Sequence, residues 1–222
     1  MIEAIPLLQR SMRGHSLFYL LFTPQGISEG ILHSVRTRGA LNRGEIAQVE
    51  LDGKIIRSFT AEPNPHLLHP ASLAATHFWC EVIAMLGRNS DPTELYPSIR
   101  HTLRTGCPPH AMITTYLHFV AMLGTGLFAE HCPQCHSAMH QAVVTAHGIG
   151  CQECCQRGAT LPHHRIAYTP AQTALLRIAQ HLSAEEFVQH CTLDTDMYRQ
   201  LLPSIVAHIH WHTGRTASGR HL

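Results

Sequence analysis

Two cysteine pairs carry the clearest chemistry in the chain: Cys132-x-x-Cys135 and, fifteen residues on, Cys151-x-x-Cys154. Each pair makes a tight turn in which backbone N–H groups can donate to the sulfurs, and two such turns can meet at one tetrahedral ion. The expected ligands are Cys132, Cys135, Cys151 and Cys154, and the expected ion is structural Zn2+. Gly148 and Gly150 stand just before the second pair, where a close backbone approach suits residues without a side chain. So short a segment has little core of its own, and a metal must hold it together. Buried thiols, a redox pair and an iron–sulfur site are the competing readings. Cys155, His131, His136 and His140 are possible replacement ligands. Four protein ligands leave no open position for water, so catalysis at this ion is not expected.

Other constellations are weaker. His208 and His212 share a helix face at i, i+4, but no acid between them completes a metalloprotease motif. His77 and Cys80 lie three residues apart without an oxyanion feature or a third orienting group, which favours core packing. There is no Gly-x-x-x-x-Gly-Lys loop and no convincing carboxylate pair, so the chain does not read as an enzyme. The arginines are a closer case. Arg10, Arg13, Arg36, Arg38 and Arg43 face a single acid, Glu29, between positions 10 and 43, although the whole chain has a net charge of only +1. Local potential matters more than the total for phosphate contact. These five arginines are therefore the candidate DNA-binding residues.

The elements that must position these residues follow from periodicity. Apolar runs at Ile5–Leu8, Leu17–Phe22, Ile27–Leu32, Ile46–Leu51 and Lys54–Phe59 are separated by turn signals, of which Asp52-Gly53 is the strongest. Five short strands in so short a stretch predict a small barrel over 1–62, with an OB-fold as the commonest five-stranded solution. Glu62-Pro63-Asn64-Pro65 then breaks the pattern, and the period lengthens toward that of helices. Helices are expected over Pro70–Leu86, Thr93–Leu103 and His110–Leu123. After the cysteines they resume at Thr169-Pro170, after an N-cap at Ser183, and over Asp196–His212 with a kink or break at Pro203. The fold class is thus α+β: a barrel, then an all-α domain (66–130 and 166–222) interrupted by a zinc-binding insert (131–165). Leu17–Phe22 is too short to span a bilayer and follows no signal-peptide pattern. No membrane association and a cytoplasmic location are expected, and 45% apolar residues suffice for a core.

This order resembles RecO, the bacterial DNA-repair mediator. Glu3-Ala-Ile-Pro-Leu-Leu-Gln-Arg10, Gly14-His-Ser16 and Leu21-Phe-Thr23-Pro-Gln-Gly26 are similar to that family's opening strands. Arg36, Arg38 and Arg43 fall where it has a basic stretch after the third strand. Phe119-Val-Ala-Met-Leu-Gly124 with Cys132-Pro-Gln-Cys135 resembles the helix leading into its zinc-binding cysteines, and Leu202–Leu222 resembles its closing segment. The chain differs in a short first domain and a single lysine. The resemblance implies a non-enzymatic protein that binds single- and double-stranded DNA and anneals complementary strands. It further implies partnership with RecR in loading recombinase, and docking of the C-terminal tail of single-strand-binding protein on the helical domain. The alternative from a different class is a zinc-stabilised protein-interaction adaptor without DNA binding.

Overall fold

A computed structural model describes residues 1–33, 39–87, 91–122, 124, 126–145, 148–157, 165–182, 184–190 and 195–213. The chain divides into two compact units, 1–108 and 109–217.

The first unit opens with five strands: β1 (Ile2–Met12), β2 (Ser16–Thr23), β3 (Gly26–Leu32), β4 (Ile46–Asp52) and β5 (Ile55–Glu62). Gly53, at φ 56°, makes the tight β4–β5 turn that Asp52-Gly53 announces. The strands close in the order β1-β2-β3-β5-β4, with Ala4 of β1 opposite Ala47 of β4 and a short parallel contact of Ile31 with Ile55. This is the closed five-stranded barrel expected of an OB-fold. Its interior is filled by Ala4, Leu17, Tyr19, Leu21, Leu32, Leu41, Ala47, Val49 and Ile56. The buried Tyr19 hydroxyl accepts the Leu41 N–H at 3.1 Å, so its polar end is satisfied.

The segment after the barrel belongs to the same unit. It contains a 3-10 turn (Pro65–Leu68), α1 (Pro70–Leu86) and α2 (Pro92–Arg104). The first compact unit thus runs on to Pro108. Close approach explains why. Gly44 donates its N–H to the Pro6 carbonyl at 3.0 Å, and a Cβ on Gly44 would lie 2.0 Å from Thr76 Cγ2 on α1. On α2, Arg100 Nε sits 2.7 Å from Glu3 Oε1, and Tyr96 donates to the same oxygen at 3.2 Å. Asp91 caps α2 by accepting the Thr93 N–H at 2.8 Å.

The second unit begins with α3 (Pro109–Met122). Three short antiparallel strands follow, β6 (Ala142–Thr145), β7 (Gly148–Cys151) and β8 (Ile166–Ala167), ordered β7-β6-β8, with α4 (Gln152–Arg157) between β7 and β8. Three more helices complete it: α5 (Pro170–Ala179), α6 (Ala184–His190) and α7 (Thr195–Thr213). The α3 helix packs against α5, α6 and α7. Thr169 and Gln172 form a reciprocal capping box at the start of α5, with Pro170 in its first turn. Ser183, the other expected cap, lies outside the described residues. The α7 helix runs through Pro203 without ending there. The hydroxyls of Tyr168 and Ser204 lie 2.6 Å apart, each 3.1 Å from the Gln200 carbonyl one residue past the acceptor that Pro203 leaves without a donor. Buried Tyr116 and His208 link α3 to α7 through a 2.7 Å hydrogen bond to Nδ1.

Candidate metal centre and nucleic-acid interface

Cys132 starts a tight turn just after a bridge between His131 and Ala138. The turn is closed by Cys132 N–H to Ser137 O at 2.9 Å and His136 N–H to Cys132 O at 2.8 Å, with His136 at φ 58°. Cys135 is thereby turned toward the end of β7, where Cys151 stands opposite Ala142. The α4 helix begins at the next residue and brings Cys154 round after one turn. All four Sγ atoms lie within 4.8 Å of one another. The Cys135–Cys151 separation is 3.7 Å, against an edge of about 3.8 Å for a tetrahedron with Zn–S bonds near 2.3 Å. Cys151 also donates its N–H to Cys132 Sγ at 3.3 Å. At Gly150 a Cβ would stand 3.1 Å from Cys155 Sγ and 3.5 Å from Cys132 Sγ, so the bare backbone is what lets two sulfurs close over this strand.

The electrostatics match a cation site. Hydrogen bonds from the Ser137 hydroxyl and N–H pull the Cys135 thiol down to about 6. Burial raises Cys132, but N–H groups of Cys151, Cys135 and Gln134 outweigh it and leave the thiol below its usual value. Cys154 is pushed up to about 12, first by its hydrogen bond with Cys135 and then by burial and the other sulfurs. Four thiolates this close repel one another, and a divalent ion at their centre removes the conflict. The four cysteines form a group that can hold one metal ion. Cys155 does not join them: it is buried and aims Sγ at the Val143 carbonyl, 3.6 Å away. His131, His136 and His140 are exposed and are not part of the group.

Side chains of α5 tie this segment to the second unit. Arg177 donates to the carbonyls of Phe128, Ala129 and Met139 at 3.3, 2.9 and 2.7 Å. Gln180 both donates to Phe128 O and accepts from Phe128 N. Sequence reading singled out neither residue, since one polar side chain on a helix gives no sign of the carbonyls it will meet.

The arginines do not gather on one face. Arg43, half-buried on the β3–β4 connection, lines a cavity of about 620 Å³ together with Gln9 and Ser11 of β1. Strand alternation sends Arg10 to the face opposite Gln9 and Ser11, and Arg13 lies in the β1–β2 turn. Arg36 and Arg38 lie outside the described residues. In the first unit Lys54, Arg57, Arg100 and Arg104 are each paired with an acid. Arg10, Arg13 and Arg43 make no ion pair among the described residues, which leaves their charge available to a ligand.

The family model described as recombination protein O C terminal matches residues 69–220, well over half of the chain. The chain belongs to the RecO family. The matched span takes in α1 to α7 and the four cysteines, and the closed barrel precedes it, which is the expected α+β order. It is a recombination and repair protein of RecO type. No curated protein matches the chain significantly. No helix among the described residues is long and apolar enough to cross a membrane.

Proposed function

We propose that the protein is a cytoplasmic, nucleoid-associated, non-enzymatic mediator that binds single- and double-stranded DNA and anneals complementary strands. With RecR it helps load recombinase onto strands coated by single-strand-binding protein, whose C-terminal tail docks on its helical residues. One structural Zn2+ on Cys132, Cys135, Cys151 and Cys154 holds the inserted segment. The observation that carries this reading is the family match, joined to an OB-type barrel whose unit carries Arg10, Arg13 and Arg43 without an ion pair among the described residues. Arg36 and Arg38 complete the proposed set. Annealing needs a surface that neutralises two phosphate backbones without reading bases, which arginines supply and no catalytic group is required for. When bound, the metal supplies rigidity. The chain's own N–H groups and Ser137 supply the sulfur hydrogen bonds that set the ligands.

The test is annealing of two complementary oligonucleotides coated with single-strand-binding protein, with and without RecR. Faster annealing by the protein supports the proposal, and no acceleration in either case contradicts it. An adaptor without intrinsic DNA binding is the second reading, favoured by the pairing of four first-unit cations with acids. It predicts partner binding with no annealing.

A further inference from the structure

The cavity beside Arg43 has a chemistry that the arginines alone do not explain. Its lining includes Leu67 and Leu68 of the 3-10 turn and Leu73 of α1, with Asn64 and His77 beside them in the chain. Leu68 is 87% exposed, so its side chain is open to contact from outside. The lining also includes Gln9, Ser11 and Arg43, which makes no ion pair among the described residues. Glu45 also lines the cavity, but both its carboxylate oxygens accept from Asn42, through the backbone N–H and the side-chain amide, at 2.7 Å each. A volume of about 620 Å³ is of the size that encloses a small-molecule moiety, and too small for a helix.

We propose that this groove holds one unstacked nucleotide of a single strand, a reading that rests on the DNA-binding function proposed above. The face of the base lies on Leu67, Leu68 and Leu73. Its polar edge meets Gln9 and Ser11, whose mixed donors and acceptors suit any base. The adjoining phosphate pairs with Arg43, whose planar fork matches two phosphate oxygens. Arg13, in the turn that continues β1 past Ser11, stands where the strand leaves the groove. The site favours single strands, because a base inside a duplex cannot present its face to a protein wall.

Two labelled oligomers of equal length test this, oligothymidylate and the same backbone with abasic residues, titrated with the full chain at low salt. Wild type is expected to bind oligothymidylate more tightly. Leu68→Ala and Gln9→Ala each lower that affinity about five- to tenfold and leave abasic binding unchanged. Leu68 is too exposed for its truncation to threaten the fold. Arg43→Ala weakens both oligomers and lowers the salt slope by about one. Equal wild-type affinity for both oligomers overturns the groove assignment while DNA binding stands. So does wild-type affinity in Leu68→Ala, the result expected if the groove serves a peptide. Absence of binding to either oligomer overturns the groove and the DNA-binding function together.

Discussion

Cys154 and Cys155 are neighbours in the chain but serve different surroundings, one in the sulfur tetrad and the other against Val143. Cys154→Ser is expected to lower bound metal well below one equivalent, while Cys155→Ser retains it, as measured by metal analysis of purified protein. Loss of metal in Cys155→Ser alone would reverse the assignment. The spacing of the cysteines made the tetrad legible from sequence, because two Cys-x-x-Cys turns have few other uses. The choice between Cys154 and Cys155 rests on helical phase after Cys151, which spacing supports and only the path of α4 decides. The buried Tyr116–His208 pair was not legible at all, since its partners lie 92 residues apart. Tyr116→Phe removes its hydrogen bond and is expected to cost about 1–3 kcal/mol in denaturant unfolding, with the fold unchanged. A change within error would show that the pair contributes nothing net.

Among the elements, the barrel strands were the most readable, because alternation and Asp52-Gly53 fix period and register locally. What sequence could not supply was closure. The β1 strand pairs with β4 through Ile2–Ala4 and with β2 through Ile5–Met12, and a register shift between Pro6 and Leu8 changes which face each residue takes. Past that shift the alternation is regular, so Arg10 and Ser11, one position apart, stand on opposite faces. The three small strands around the cysteines also escaped notice, since runs as short as Ala142–Thr145 carry no clear period. Gly44 marks where barrel and α1 touch. It has φ +74°, and its Cβ position is 2.0 Å from Thr76 Cγ2. Gly44→Ala is therefore expected to destabilise the first unit by about 2–5 kcal/mol, read as a lower melting midpoint. A neutral result would mean that α1 yields freely at Thr76.

On the scale of the whole molecule, the sequence gives no sign that α1 and α2 fall in one compact unit with the barrel, because the contacts that join them are long-range. The proposed zinc would supply much of the stability of the cysteine-bearing segment of the second unit. Apparent zinc-binding free energies of about 10–16 kcal/mol are large beside the stability of a domain. Chelation is therefore expected to abolish hydrogen-exchange protection of the β6 and β7 amides while β2 and β3 amides stay protected. Retained protection at β6 and β7 would show that the segment holds without metal. The central claim, however, concerns DNA, and the most direct measurement is binding of a labelled single-stranded oligonucleotide from low to moderate salt. Wild type is to be compared with an Arg36/Arg38/Arg43→Ala triple variant. The account predicts binding whose logarithm falls linearly with the logarithm of salt, with a slope reduced by up to about two or three in the variant. No binding by the wild type at low salt, or an unchanged slope in the variant, would contradict it.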